Sequence, residues 1–524
     1  MKRLLHIVVT LMTLLSACSV LQPAPTGTPV SITPVFYATD TPTPVLEPIY
    51  LSLIWRFHQP LYSADPQTGL INQPWVRINA ARFYGTAGKL LQQFPKMHAT
   101  FNLSPLLHRQ LDDMAAGARD VYWELSTRAA GTLNEQDRQF ILTHFFDDLD
   151  RTVIGASPRY QELAAKRGSN TDAAIRSAIA GFSEQELRDV QVLFNLSTLG
   201  SEQLRDPQIK ALAAKGRDYT EDDKKVVFEV LLRTLREVEP LYASLQISGQ
   251  IELTTSPYSE PILPLLLDTG IAVSRTMTPK QPDSPFSSAA DVTEQLKRAN
   301  EKYVQRYGHP ARGVLLPGNA FAANIIAPLA SAGFKWTVAD EDILSRTLQP
   351  AGTTAGLSAD ELYRPYSAGT ADGHSLAIFF NDSRLRAQLM DTRTNDVQAV
   401  TDNFVSAVQA VRQQLKDDKA PGPHLVTVVL DGEQLMGRFA DNGQTLLNTL
   451  YKRLSELADQ YDIQTITPSD YLTRFPGGRE LTSKVGHQTD SPLRSDMSAW
   501  IGATATNNVW SNLGRARKFL NDYL

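Results

Sequence analysis

Residues 49–60 read IYLSLIWRFHQP, and this stretch decides the fold prediction. Its first seven residues form an almost unbroken apolar run, which is typical of a strand buried on both faces. A second short apolar run, His98–Leu103, follows a segment with helical spacing at Ala80–Phe94. The order strand, helix, strand predicts two neighbouring strands of a parallel sheet.

The same alternation continues towards the C-terminus. Further short apolar runs lie at Gln250–Thr254, Ala272–Arg275, Val314–Leu316, Trp336–Val338, Leu376–Phe380 and Leu425–Leu430. Helical spacing separates several of them, at Ile262–Thr269, Val292–Tyr307 and Asn324–Ala332. From about 107 to 245, charged residues alternate with Leu, Ile and Phe at three- and four-residue spacing, which predicts a long helical insertion. Six to eight strands that alternate with helices favour an α/β fold of the (β/α) barrel type over an open sheet.

Composition restricts the classes of partner and cofactor. The chain has 524 residues, of which 42% are hydrophobic and 20% charged, and its net charge is -5. Acidic and basic residues are mixed along the chain without a basic stripe, so nucleic acid is not expected as a partner. The chain lacks a Gly-x-Gly-x-x-Gly motif, a phosphate-binding loop and a Gly-x-Ser-x-Gly motif. We therefore predict no cofactor.

The N-terminus has the order of a secretory signal. A basic start at Met1–His6 precedes a short apolar segment, Ile7–Leu15, and the sequence LSAC ends at Cys18, the only cysteine. LSAC resembles the bacterial lipobox, which implies cleavage before Cys18 and diacylglycerol on its sulfur. We therefore predict a signal peptide over 1–17, a Pro- and Thr-rich tether over 18–48, and an exported protein held by lipid on the extracytoplasmic side of the membrane. The alternative is a plain secretory signal with an incidental cysteine.

Polar residues follow the predicted strands where a (β/α) barrel places its active residues, at the carboxyl ends of the strands. They are His58, Gln59, Glu252, Gly318, Asn319, Asp340, Glu341, Asp431 and Glu433. A polar residue after a strand can equally cap the next helix, and Asp-Gly is also a turn signal. Glu252 is harder to explain structurally, because a charge inside an apolar strand is costly without a partner.

An ordered set of motifs resembles glycoside hydrolase family 57. The motifs are LIWRFHQPLY (53–62), PWVRINAARFYG (74–85), HATFNLSPLL (98–107), GQIELTTSPYSEPILPLL (249–266), AGFKWTVADEDIL (332–344), VVLDGEQLMGRFADNGQTLL (428–447) and TPSDYLTRF (467–475). The resemblance implies an incomplete, seven-stranded (β/α) barrel over 49–475, of the type shared by glycoside hydrolases and deacetylases, and a helical C-terminal region over 476–524. It also implies retaining cleavage or transfer of α-glucosidic bonds in amylose-like glucans, which uses two carboxylates about 5 Å apart.

The resemblance implies roles for single residues and exposes a departure. Asp431 matches the general acid/base of the family, whereas the position of the nucleophile falls on Gly318, which has no carboxylate. Three more departures replace family His residues: Arg56 before His-Gln-Pro, Asn79 in the second motif, and Glu260 in the fourth. The substrate-binding residues implied are Arg56, His58, Gln59, Asn79, Glu252, Glu260, Asp340 and Glu433, with no metal ligand.

Three functions follow, and the sequence leaves them open. The first is a catalytically impaired protein that binds α-glucan at the cell surface, in which Arg56 and Glu260 pair and fill the space of the lost groups. The second is an active α-glucosidic hydrolase or glucanotransferase with relocated carboxylates, in which Glu341 or Glu433 is the base and Asp431 the acid. The third is a polysaccharide deacetylase, a distantly related class that needs a metal site built on Asp and paired His. The nine His residues include no His-x-x-x-His pair.

Overall fold

The computed structural model describes residues 47–147, 152, 154–273, 279–348, 356–370, 373–391, 393–439, 441–481 and 495–523. From Glu47 to the C-terminus the chain forms one unit. The predicted signal peptide, Cys18 and most of the predicted tether lie outside the described residues, and they remain predictions. Over the described ranges, no helix is both long enough and apolar enough to cross a membrane.

The structure contains a mostly parallel sheet surrounded by helices. The strands are β1 (Ile49–Phe57), β2 (Ala99–Leu103), β3 (Ile251–Thr254), β4 (Gly313–Val314), β5 (Trp336–Asp340), β6 (Tyr366–Gly369), β7 (Ser375–Asn381), β8 (Leu425–Asp431), β9 (Ile463–Thr465) and β10 (Arg479–Glu480). The helices are α1 (Trp75–Asn79), α2 (Gly85–Gln92), α3 (Pro105–Ala115), α4 (Val121–Thr127), α5 (Glu135–His144), α6 (Pro158–Arg167), α7 (Asp172–Gly181), α8 (Glu184–Ser197), α9 (Pro207–Lys215), α10 (Glu221–Ile247), α11 (Leu263–Leu267), α12 (Ala289–Tyr307), α13 (Ile326–Ser331), α14 (Glu341–Leu348), α15 (Ala359–Leu362), α16 (Ser383–Leu389), α17 (Val397–Asp417), α18 (Gly432–Met436), α19 (Gln444–Asp459), α20 (Pro468–Arg474) and α21 (Thr504–Tyr523).

Seven parallel strands make up the wall of the sheet in the order β3-β2-β1-β8-β7-β5-β4. The strands at the two ends of this row, β3 and β4, approach each other through a single isolated β-bridge between Thr255 and Val314. The sheet is therefore not a closed barrel. This arrangement confirms the predicted incomplete, seven-stranded (β/α) barrel. Among the remaining strands, β6 pairs antiparallel with β7, β9 pairs parallel with β1, and β10 pairs with β6.

The side chains of strand β1 pack into two separate hydrophobic clusters, one on each face of the sheet. Leu51, Leu53, Trp55 and Phe57 pack outward against the helices, while Tyr50 and Ile54 pack into an inner cluster with Trp336 and Val429. Because side chains alternate along a strand, Arg56 lies on the inner face above Ile54. The apolar filling of the barrel therefore ends below Arg56, and polar residues occupy the carboxyl end.

The predicted insertion is helical, as expected. It comprises α3 to α10, and its last helix, α10, has 27 residues and begins with a capping box between Thr220 and Asp223. The predicted strand that starts at Ala272 is wrong at that residue. Thr269–Ala272 is a 3₁₀ helix capped by Asp268, whose side chain accepts a hydrogen bond from the backbone N–H of Gly270. Val273 is described and lies outside any strand, and the last two residues of the predicted strand, 274 and 275, lie outside the described residues.

Candidate active site

Seven residues gather at the carboxyl end of the barrel, and we call them the rim cluster: Arg56, His58, Gln59, Tyr84, Glu260, Asp431 and Glu433. Strand register explains part of this gathering, because Arg56 of β1 lies opposite Asn102 of β2 and Asp431 of β8. The carboxyl ends of parallel strands meet at one edge, where barrel enzymes carry their chemistry.

Asp431 ends β8 and caps the next helix. Its side chain accepts a hydrogen bond of 2.8 Å from the backbone N–H of Gln434, the third residue after it. The capping alternative raised by the Asp-Gly sequence is therefore realised. Capping uses only part of the carboxylate. The charge of Asp431 reinforces the rise that burial causes in the pKa of Glu433, and it opposes the fall that burial causes in the pKa of His58.

Glu433 is held by three donors on one carboxyl oxygen. Oε1 accepts hydrogen bonds from the Tyr84 hydroxyl at 2.8 Å, the His58 backbone N–H at 3.1 Å and Gln59 Nε2 at 3.4 Å. Burial, reinforced by the nearby charge of Asp431, raises the pKa of Glu433 to about 8. The carboxyl group is therefore mostly protonated at neutral pH, and it suits a proton donor better than the base that the second interpretation of the sequence names as Glu341 or Glu433.

The Tyr84 contact depends on a local distortion of the helix that follows α1. Residues Ala80–Tyr84 form a π-helical segment between α1 and α2, which widens the helix by one residue per turn. Tyr84 is fully buried at the end of this segment, and its ring packs against Phe57 with centroids 4.9 Å apart. The wider turn therefore carries the hydroxyl to Glu433.

His58 is a neutral imidazole near neutral pH. Burial lowers its pKa, and the charge of Arg56 lowers it further, while Glu260 and Asp431 act in the opposite direction. A neutral imidazole offers one hydrogen-bond donor and one acceptor, which suits sugar hydroxyls.

Arg56 and Glu260 form the pair that we expected from their replacement of two family His residues. Arg56 Nη2 lies 3.7 Å from Glu260 Oε1, and the two side chains are 12% and 10% exposed. Arg56 Nε and Glu260 Oε1 are buried without a hydrogen-bond partner among the residues that the structure describes. The pair is therefore held by charge attraction rather than by a hydrogen bond.

Gly318, the predicted position of the family nucleophile, lies in the short turn Pro317–Asn319. Its φ angle is +60°, a left-handed conformation, and a Cβ atom built there would lie 2.5 Å from Cζ2 of Trp500. Trp500 comes from the C-terminal region, where its carbonyl oxygen accepts a 2.9 Å hydrogen bond from Trp510 Nε1. The indole therefore fills the space that a nucleophilic side chain would need.

Asp340 lies close to the turn that contains Gly318. Its Oδ1 accepts hydrogen bonds from Asn319 Nδ2 at 3.0 Å and from Asn381 Nδ2 at 2.9 Å. Burial raises the pKa of Asp340, although both amides lower it. Asn381 also accepts a 2.9 Å hydrogen bond from the Val429 N–H, so this network links β7 to β8, which share a single register pair.

Two predicted binding residues lie apart from the rim cluster. Glu252 is buried below the rim, where its oxygens accept from Trp336 Nε1 at 2.9 Å and from the backbone N–H of Ser469 at 3.0 Å. Burial raises its pKa. Asn79 is half-buried at the end of α1. The binding roles given to both residues remain predictions.

Nothing in the sequence assigned a site role to two residues that shape the site, Tyr84 and Trp500. Tyr84 stood in the second motif of the resemblance and Trp500 in the predicted helical C-terminal region. Their contacts depend on a π-helical turn and on a C-terminal segment more than 180 residues from Gly318. No spacing rule signals either contact. Over the described ranges, no group of three or more His, Cys, Asp or Glu residues could hold a metal ion.

A family model described as "Glycosyl hydrolase family 57" matches residues 52–482. The chain belongs to this family. The match covers β1 to β10, and hence the strands that carry the rim cluster and the turn at Gly318.

Two relatives named as alpha-amylases match only part of this chain. An alpha-amylase from Pyrococcus horikoshii is 27% identical over 161 residues, which are 31% of this chain and 20% of the relative. Alpha-amylase 1 from Dictyoglomus thermophilum is 22% identical over 170 residues, which are 32% of this chain and 20% of the relative. The chain thus spans about a fifth of the length of these relatives.

Solved structures of family 57 enzymes share the fold. A branching enzyme from Thermococcus kodakaraensis superposes with a TM-score of 0.52 at 14% identity, covering 89% of this chain and 78% of that one. A branching enzyme from Pyrococcus horikoshii gives 0.51 at 15% identity, with 89% and 77% covered. At these identities the likeness establishes the fold alone.

The raised pKa of Glu433 predicts a pH dependence of stability. Between the ordinary carboxyl pKa of about 4.5 and about 8, the folded state holds a proton on Glu433 that the unfolded state has lost. Stability from this group is therefore complete below about 4.5 and falls as the pH rises towards 8. Glu433→Gln, which copies the protonated carboxyl, is expected to flatten the fall. Thermal melting between pH 5 and 9 measures it, with the exposed Glu456→Gln as the control.

Proposed function

We propose that this family 57 protein binds α-glucan chains at the rim cluster and does not carry out retaining cleavage. The observation that carries the proposal is the fit of Trp500 against Gly318, where a Cβ would lie 2.5 Å from the indole. Retaining cleavage needs a carboxylate that attacks the anomeric carbon. Loss of one member of such a catalytic unit typically costs several orders of magnitude in rate.

The remaining groups suit binding. Protonated Glu433 and neutral His58 offer hydrogen-bond donors and acceptors, and Asp431 offers a carboxylate. The partly exposed guanidinium of Arg56 adds charged donors, and hydrogen bonds from charged donors are stronger than neutral ones. Trp500 adds an apolar ring face, and sugar sites commonly combine such a face with a few fixed polar groups.

A second candidate function is inverting hydrolysis, favoured by the contrast between two neighbouring carboxyl groups. The pKa of Glu433 is raised to about 8, partly by the charge of Asp431. When the environments of two neighbouring carboxyl groups push their pKa values apart, one group can serve as the acid and the other as the base. Glu433 would protonate the leaving oxygen and Asp431 would activate a water, which reverses the roles expected from the sequence.

We also propose that the protein works at the cell surface, bound to the membrane through lipid on Cys18. The support is the sequence LSAC after a short apolar segment. Labelling of the intact protein with a radioactive fatty acid, lost in Cys18→Ser, tests this proposal.

Binding and turnover of maltoheptaose by the intact protein distinguish the two functions. We expect binding by calorimetry without any product detectable by NMR, and about tenfold weaker binding in Trp500→Ala. Phe519→Ala, an exposed aromatic residue of α21, is the matched control and is expected to bind as the wild type does. Product with inverted anomeric configuration, abolished by Asp431→Asn, would favour the second candidate. Product with retained configuration would contradict both.

A further inference from the structure

A cleft of about 510 Å³ opens between α3 and α12, outside the barrel, and we call it the lateral cleft. Its walls include His108, Arg109 and Asp112 of α3, Tyr258 of the turn after β3, and Lys302 and Arg306 of α12. The volume lies in the range of ordinary small-molecule sites. None of these six residues belongs to the rim cluster.

A half-buried carboxylate, Glu239, lies behind the inner wall of the lateral cleft and holds several wall residues in place. Glu239 of α10 bonds to His108 Nδ1 and accepts from Tyr307 at 3.3 Å, while Arg306 Nη1 lies 3.2 Å away. Burial alone would raise the pKa of Glu239, but the contacts with His108 and Arg306 lower it. Arg306 also pairs with Asp112. These hydrogen bonds and ion pairs hold the side chains in place in the unliganded protein, so less side-chain entropy is lost when a ligand binds.

Most charges of the lateral cleft are already paired. Among the lining residues, Arg109 pairs with Asp113 and Arg306 pairs with Asp112, while Arg306 also contacts Glu239 behind the wall. Charges that are paired in this way leave little net attraction for an anion or a cation. The lateral cleft presents charged donors and acceptors beside tyrosine rings, a combination that suits a neutral ligand with many hydroxyl groups.

The lateral cleft and the rim cluster share one turn of the chain. Tyr258 lines the lateral cleft, and two residues later Glu260 pairs with Arg56 in the rim cluster. Glu260 adopts a left-handed φ of +55°, which redirects the chain between the two sites. The backbone N–H of Tyr258 is anchored to the Gln295 carbonyl of α12 at 3.2 Å. The two sites therefore lie on opposite sides of one anchored turn.

We propose that the lateral cleft is a second binding site for neutral oligosaccharide, contiguous with the rim cluster. A long α-glucan chain then occupies both sites across the Pro257–Glu260 turn, while a short one occupies the rim cluster alone. This inference rests on the proposed glycan binding at the rim cluster.

Calorimetry of the intact protein with maltotriose and maltoheptaose tests the second site. We expect the double variant Tyr258→Ala/Lys302→Met to weaken maltoheptaose binding about tenfold while maltotriose binding stays within about twofold. Lys297→Met is the control, because Lys297 lies on the same helix, exposed and outside the lateral cleft. Melting temperatures within about 2 °C of the wild type show that the variants are folded.

The outcomes separate the two proposals. Maltoheptaose binding that is unchanged in the double variant would overturn the lateral site and leave binding at the rim cluster standing. Equal weakening for both sugars would also overturn the lateral site, because it would place Tyr258 and Lys302 in the rim site. A wild-type protein that binds neither sugar would overturn both proposals.

Discussion

Gly318→Ala is expected to lower the free energy of unfolding by about 2–5 kcal/mol. About 1–2 kcal/mol comes from placing a Cβ at a left-handed position, here a φ of +60°. A further amount of about 1–3 kcal/mol comes from overpacking, because the new atom would lie 2.5 Å from the Trp500 ring. Urea unfolding measures the change. Gly318→Glu, which restores the family carboxylate, is expected to be at least as destabilised and to show no retaining cleavage.

The matched control separates the two causes. Gly308, after α12, has a φ of +79°, and a Cβ built there meets nothing within 4 Å. Gly308→Ala should therefore lose only the backbone component, about 1–2 kcal/mol. Gly318→Ala combined with Trp500→Ala should recover part of the overpacking loss. A stable Gly318→Glu protein that cleaves maltoheptaose with retention would contradict both this prediction and the proposed function.

The outcome bears on whether a carboxylate could be introduced at the predicted nucleophile position. The sequence alone shows a Gly at position 318, which a single substitution could change. In the structure, the C-terminal region occupies the space beside it, since Ser495 bonds to both Asn319 and Phe321 and Trp500 packs against Gly318. Introducing a carboxylate there would therefore require a change in two distant segments of the chain.

Both the main strands and the Arg56–Glu260 pair could be predicted from the sequence. Apolar runs such as IYLSLIW mark buried strands directly, and opposite charges that replace two groups of one site suggest a contact. The short strand β4 could be located but not bounded, because Pro317 and the Gly318 turn end it early. β9, with only three residues, Ile463–Thr465, was missed because so short a run has no readable period.

The protonation of Glu433 could not be predicted. Sequence places Glu433 after a strand, where an exposed carboxylate and a buried carboxylic acid look alike. The protonation arises from burial, reinforced by the charge of Asp431, which together outweigh the hydrogen bonds from Tyr84 and Gln59 that lower the pKa. Burial and the position of Asp431 depend on tertiary packing, so the base role that one interpretation of the sequence gives to Glu433 could be replaced by an acid role only when its neighbours were known.

Arg77→Met is expected to destabilise the protein by about 3–5 kcal/mol, because it leaves a buried charge without its partner. Arg77 and Asp120 are both 0% exposed, and Arg77 Nε lies 2.7 Å from Asp120 Oδ2. Arg77 Nη1 also donates to Asn195 at 3.3 Å, which joins α1 to α8. Chemical denaturation measures the loss. Arg453→Met, which removes an exposed ion pair with Glu456, is the control and should change stability by less than about 0.5 kcal/mol.

A second substitution identifies the cause of the loss. Asp120 also caps α4 by accepting from the Trp123 N–H at 2.8 Å, and Asn can keep that bond without the charge. Arg77→Met/Asp120→Asn should therefore recover part of the stability, whereas a simple packing defect would leave the double variant as unstable as the single one. Because α1 runs directly into the π-helical segment that carries Tyr84, and the hydrogen bond from Tyr84 lowers the pKa of Glu433, Arg77→Met should also enlarge the pH dependence of stability that Glu433 confers. An unchanged pH dependence would show that the Arg77–Asp120 pair holds the helix without positioning Tyr84.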